Sequence, residues 1–142
     1  MKYLSIVTLC ALLTAFACNS LSKGFELEGT LANAANLELT MDKVEFSNSI
    51  VAVGKTNVDT QGKFKLKLDQ KPLPGVYMVK IGVKRILLFI DGSEKNVGLN
   101  GDLNNFDRYE LNITGSKGSK EYADLMKKLT ANSVDQNYLK NY

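Results

Sequence analysis

From Phe25 onward the chain alternates apolar and polar residues in short stretches separated by turn-forming residues. Phe25, Leu27 and Leu31 are set against Glu26, Glu28 and Thr30, and Leu37, Leu39 and Met41 against Glu38, Thr40 and Asp42. A period of two sends successive side chains to opposite faces, so each stretch predicts a half-buried strand, with a turn at Asn33 to Asn36 between them. Val51, Val53 and Val58 mark a further extended stretch ended by Asp59-Thr60-Gln61-Gly62. Phe64, Leu66 and Leu68 then alternate with Lys63, Lys65 and Lys67, which predicts a hairpin across that turn. Lys71-Pro72-Leu73-Pro74-Gly75 breaks the pattern and Val76 to Ile81 resumes it. Ile86 to Ile90 is a continuous apolar run between Arg85 and Asp91-Gly92-Ser93, too short for a helix, and predicts a central strand covered on both faces. Val97 to Leu99 and Tyr109 to Ile113 add two more. Eight to nine short strands about ten residues apart have the rhythm of an antiparallel β-sandwich or partly open barrel, so the fold class is mainly β.

The period changes once, after Gly115. Tyr122, Leu125, Met126 and Leu129 fall at i, i+3, i+4 and i+7, one stripe of a C-terminal amphipathic helix, with Ser119 as its expected cap. That stripe is expected to dock on the sheet or on a partner, leaving Lys120, Lys127 and Lys128 wet. Val134, Tyr138 and Tyr142 extend the pattern past Asn132.

The first 18 residues follow a different logic. Lys2 supplies a positive start, Leu4 to Phe16 form an apolar stretch, and Ala15-Phe16-Ala17 places small residues where a signal peptidase needs them. A membrane-crossing helix needs about 20 apolar residues. This stretch is shorter and is followed at once by Asn19, Ser20 and Lys23, so it reads as an export signal. A cysteine directly after Ala17 is the lipoprotein arrangement, with the Cys18 thiol as acceptor of a diacylglycerol group; two or more acyl chains hold a protein on a bilayer essentially permanently. Ordinary cleavage at the same bond is the competing outcome. The expected organisation is a signal peptide over 1–17, a lipid-anchored tether over 18–24, a β-sandwich domain over 25–115, and a C-terminal helix and tail over 116–142.

Composition narrows the chemistry. The 142-residue chain has no histidine and no tryptophan, and its two cysteines are Cys10 and Cys18. Loss of residues 1–17 removes Cys10, leaving no internal disulfide, Cys-x-x-Cys pair or Cys/His metal site, and the absence of histidine removes Ser-His and Cys-His catalysis. The net charge of +3 includes Lys2 and falls to +2 with the signal, too little for a nucleic-acid interface. Neither a cofactor nor a metal is expected.

Four local features invite a sharper reading, and each has a plainer one. Gly115-Ser116-Lys117-Gly118-Ser119-Lys120 lies where backbone N–H groups hold phosphate in other proteins, but it lacks the P-loop spacing and reads as a turn and cap. Asp102-Leu103-Asn104-Asn105-Phe106-Asp107 has oxygens at calcium-like intervals. Phe106 interrupts them and no distal Glu follows, so it reads as a solvated loop. Lys63, Lys65 and Lys67, with Lys80, Lys84 and Arg85, form either an anion-binding face or the wet side of a sheet. Glu26 with Glu28, or Asp91 with Glu94, would need proximity and burial to perform acid/base work, and exposed strand residues are the commoner case.

In order, the chain shows a lipoprotein signal, alternating strands, Gly62-Lys63-Phe64, Pro74-Gly75-Val76-Tyr77, a hydrophobic strand ending in Asp91-Gly92, and Gly115-Ser116 leading into a helix with Tyr122. This resembles the N-terminal β domain of exported thioredoxin-like lipoproteins of Bacteroidota, over about Phe25 to Leu129. In complete members a thioredoxin fold with a redox Cys-x-x-Cys follows the helix. Here none follows, so the disulfide reductase activity does not carry over. The resulting expectation is a non-catalytic, lipid-anchored domain of the cell envelope, facing the periplasm from the outer membrane, that serves as a docking, spacing or ligand-binding module. Its partners are the membrane, through Cys18, and a protein or thioredoxin-like domain through Tyr122, Leu125, Met126 and Leu129. The alternatives are an N-terminal fragment of a thiol-disulfide oxidoreductase and a carboxylate-based hydrolase.

Overall fold

A computed structural model describes residues 24–47 and 49–139, with helix side chains described through residue 131. The residues expected to form the export signal and most of the tether, Cys18 among them, lie outside the described residues. Among the described residues eight strands form: β1 (Phe25–Ala32), β2 (Glu38–Val44), β3 (Ile50–Asn57), β4 (Lys63–Leu68), β5 (Gly75–Ile81), β6 (Lys84–Ile90), β7 (Asn96–Asp102) and β8 (Leu111–Thr114). A 3-10 segment (Leu103–Arg108) joins β7 to β8, and the helix α1 (Lys117–Leu139) follows β8.

The strands make two four-stranded sheets that do not close into a barrel, in the orders β4-β1-β7-β8 and β3-β2-β5-β6. Alternation sends one side chain in two inward: Phe25, Leu27 and Leu31 of β1, with Val97 and Leu99 of β7, face Leu39, Met41, Tyr77, Val79 and Leu88 of the other sheet across a shared core. Pairing is antiparallel except that β1 lies parallel to β7, Glu26 opposite Asn96 through Ala32 opposite Asp102. Local alternation carries no information on strand direction, and seventy residues separate these partners.

The β3–β4 connection corrects the expected hairpin. Asp59 Oδ1 accepts the N–H groups of Gln61 and Lys63 at 2.8 and 2.9 Å, and Gly62 takes φ +79°, so a tight turn does form. Beyond it the strands part: β3 pairs with β2 in one sheet and β4 with β1 in the other. The turn therefore closes one side of the sandwich instead of extending a sheet. The Leu31 N–H donates to the Gly62 carbonyl at 2.8 Å, which ties the crossing to β1, and a Cβ on Gly62 would stand 2.4 Å from the Leu31 carbonyl oxygen.

On the opposite side the sheets end in β6 and β8, and here the second correction falls. β6 is an edge strand, not a central one. Its apolar run is explained by what covers it. An edge exposes unpaired backbone groups, and three side chains occupy them: Tyr109 Oη accepts the Leu87 N–H at 3.1 Å, Ser119 Oγ accepts the Phe89 N–H at 2.8 Å, and Ser116 donates to the Phe89 carbonyl at 2.7 Å. Tyr109 stands outside β8, in the left-handed conformation at the end of the 3-10 segment.

The segment expected as a solvated loop is that 3-10 helix, and Phe106 in it is fully buried. It packs with α1 against β6, filling the gap between the two sheet edges.

Candidate functional site

α1 is capped by Ser116, whose Oγ accepts the Ser119 N–H at 3.3 Å, rather than by Ser119. Ser119 is instead fully buried against β6 and sets the helix's rotation. The face that follows it is Tyr122, Ala123 and Met126, again at helical spacing. Ala123 is buried, Tyr122 and Met126 pack on the core, and the Tyr122 ring lies 4.7 Å from Phe89 and 5.5 Å from Tyr109. Leu125 and Leu129 stand about 120° and about 80° round the helix from Ser119, on the same side, and remain 53% and 52% exposed. The structure thus divides the stripe: Tyr122 and Met126 dock, whereas Leu125 and Leu129 do not. The seryl seam with the β6 edge outweighs the two leucines because a buried N–H or carbonyl left unpaired costs about 1–3 kcal/mol.

Two hollows bear on function. The first lies on the outer face of the β4-β1-β7-β8 sheet, with a volume of about 390 Å³. Gly29 and Gly98 line it, and a Cβ on Gly98 would fall 2.4 Å from Thr114 Oγ1. Glu28, Thr30, Lys63, Lys65, Asn100 and Thr114 supply its polar lining. Asn100 Oδ1 is already used by the Thr30 N–H at 3.0 Å. The second, about 270 Å³, lies beside the start of α1 between Val76, Phe89, Ile90, Glu94 and Gly118. Glu94 is buried there, and its carboxylate accepts the backbone N–H groups of Asp91 and Gly92 at 3.0 to 3.1 Å.

The six basic residues are divided between the two sheets, and four of them pair with acids. Lys65 Nζ sits 2.7 Å from Glu26 and 3.0 Å from Glu28, Lys67 is 3.6 Å from Glu26, Lys80 is 2.7 Å from Asp42, and Lys84 is 2.6 Å from Asp107. The Lys65 and Lys67 contacts are cross-strand pairs of the wet face, Glu26 lying opposite Lys67 and Glu28 opposite Lys65, whereas Lys84 reaches the 3-10 segment. The hydrogen bond from Lys65 holds the Glu26 carboxyl below its ordinary 4.5, and the same contact raises the Lys65 ammonium. A depressed carboxyl contributes stability that is present above the unfolded value and lost as pH falls through the folded one. Glu26→Gln should therefore lower the melting temperature by at most a few degrees at pH 7, and the gap from the parent should close well below pH 4.5. Melting curves of both proteins across that range check this, and a gap that widened in acid would contradict it.

The other sequence candidates are also spent on structure. Ser116 and Ser119 turn their hydroxyls to Phe89, so that loop is a cap. Asp102 Oδ1 takes N–H groups from Asn33 and Asn104, and the first of these lowers its carboxyl below the usual range. Among the described residues no group of three or more His, Cys, Asp or Glu is placed to hold a metal, and no helix is long and apolar enough to cross a membrane.

Fold and site together define an open two-sheet β-sandwich whose free edge is sealed by a helix and a 3-10 segment. No family model matches the chain. No curated protein matches it. Among solved structures it is similar to sea bream transthyretin, crystallised in complex with thyroxine, with a TM-score of 0.46 and 11% identity over 66% of this chain and 96% of that one.

Proposed function

We propose that the chain is exported, acylated on Cys18 and held on the outer membrane facing the periplasm, where its β-sandwich acts without catalysis as a docking, spacing or ligand-binding module. The observation that carries the non-catalytic reading is how the carboxylates in the two hollows are engaged. Glu28 and its neighbour Glu26 share Lys65, Glu94 is occupied by backbone amides, and Asp91 accepts the Ser93 N–H at 2.7 Å. General acid/base chemistry needs a carboxyl free to exchange a proton with substrate, and this arrangement weighs against a carboxylate hydrolase. The polar hollow over Gly98 suits a hydrogen-bonding ligand.

The anchor rests on Ala17-Cys18 after an apolar stretch. The mature N-terminus is expected to be acylated Cys18, and Cys18→Ala should release a folded, soluble protein. A mass equal to unmodified Cys18 to Tyr142, measured on membrane-extracted protein, would overturn the anchor.

One observation favours a second reading. Leu125 and Leu129 leave an apolar edge along α1 uncovered, as expected of a surface that meets a further domain or protein, including the thioredoxin-like domain of the lipoproteins this sequence resembles. A reading frame that continues past Tyr142 into a Cys-x-x-Cys would favour it, and a stop codon there would favour the free-standing module.

A further inference from the structure

The point where the chain enters β1 and three exposed apolar side chains, Phe46, Ile50 and Leu73, share one end of the sandwich. β1 starts there, Phe25 opposite Leu68 and Glu26 opposite Asn96, and the Glu26 N–H donates to the Lys95 carbonyl at 3.0 Å. The segments 69–74 and 91–95 close that end and touch each other. Lys71 Nζ donates to the Ser93 carbonyl at 3.3 Å, Tyr77 Oη donates to the Leu73 carbonyl at 2.6 Å, and Pro74 would lie 3.2 Å from a Cβ on Gly92. The β2–β3 connection belongs to the same end, because Val44 is opposite both Val76 and Ile50, and Gly75 is opposite Ile90.

Phe46 is completely exposed at this end, Leu73 is 68% exposed and Ile50 is 54% exposed. Solvent gives no reason for three large apolar side chains to be displayed together around the point where the chain enters the fold. The tether supplies one. Seven residue steps separate Cys18 from Phe25, a span of roughly 25 Å at full extension and nearer 15 Å as a coil. Any lipid on Cys18 keeps this end at the bilayer surface. Lys43, Lys71 and Lys95 are interspersed with Glu45, Asp69 and Asp91 around it, so attraction to anionic headgroups is not the main force.

We propose that this end of the sandwich rests on the bilayer, with Phe46, Ile50 and Leu73 inserted into the lipid interface, so that the anchored domain is oriented rather than free to swing. The proposal rests on the anchored reading above. It sets the strands roughly along the bilayer normal and turns the β5–β6 connection, where Val83 is 97% exposed, toward the periplasm.

The protein contains no tryptophan, so Phe46→Trp and Val83→Trp each introduce a single emitter at opposite ends, both at exposed positions where the fold is undisturbed. The chain from Cys18 to Tyr142 is coupled through its sole thiol to a maleimide-bearing phospholipid in phosphatidylcholine vesicles, with or without brominated acyl chains. This chemical tether works whether or not a cell acylates Cys18, so the result is independent of the anchor test by mass. The expected outcome is blue-shifted emission from Phe46→Trp, quenched several-fold more by brominated lipid than that from Val83→Trp. Equal quenching at the two ends, or none at either, would overturn the orientation.

Discussion

Gly29→Ala is expected to be the most damaging single-methyl change in the domain, costing on the order of 4 kcal/mol or more, enough to prevent recovery of folded protein. Gly29 lies in the middle of β1, opposite Phe64 on β4 and Leu99 on β7. A Cβ there would stand 1.8 Å from the Leu99 carbonyl oxygen and 2.7 Å from its carbonyl carbon. Overpacking against side chains is relieved by a rotamer change. Here the obstacle is backbone, and β1 is hydrogen-bonded on both sides, so moving away from β7 would push it into β4. Gly75→Ala is the matched control: its Cβ would meet the Cε of Lys43 at 3.2 Å, the far end of a flexible chain, and should change stability by about 1 kcal/mol or less. Thermal melts of the two variants check the contrast. If Gly29→Ala melted with the parent, β1 and β7 would be farther apart than described.

How much of this architecture the sequence reveals depends on the range of the interaction. Alternation needs only neighbouring residues, so the strands around Phe25, Leu39, Phe64, Val79 and Val97 are legible, as is the turn between Asn33 and Asn36, both of which adopt positive φ. Which strands pair depends on residues far apart. Asp59-Thr60-Gln61-Gly62 has hairpin chemistry and makes a tight turn, yet the strands it joins enter different sheets. The run Ile86 to Ile90 signals cover on both faces but not its source: the inner side chains meet the core, while Phe89 meets Tyr122 from a helix thirty residues on. Gly29 itself carried a usable signal, since a glycine inside an alternating strand marks a close backbone approach. The polar hollow was not legible, because it is assembled from four strands, with Glu28, Lys65, Asn100 and Thr114 each an ordinary wet-face residue in its own strand.

The second large effect tests how the open side is sealed. Phe106→Ala should cost about 3–5 kcal/mol, because a fully buried aromatic is removed from a short 3-10 segment pinned at both ends. Asp102 holds the start through the Asn104 N–H, and Tyr109 closes the end with its N–H on the Phe106 carbonyl at 3.1 Å. The surrounding side chains cannot easily collapse into the space, since the Tyr109 hydroxyl is committed to β6 and the Tyr109 ring to Tyr122. Leu125→Ala and Leu129→Ala should each cost no more than about 1 kcal/mol, as roughly half of each side chain already meets water. Helical spacing alone assigns the opposite order, with the leucines as the seal and Phe106 in solvent. Urea unfolding of the three variants decides between them. A Leu125→Ala loss as large as that of Phe106→Ala would mean that α1 docks through its leucine edge and that the Ser116–Ser119 seam with Phe89 does not set its rotation.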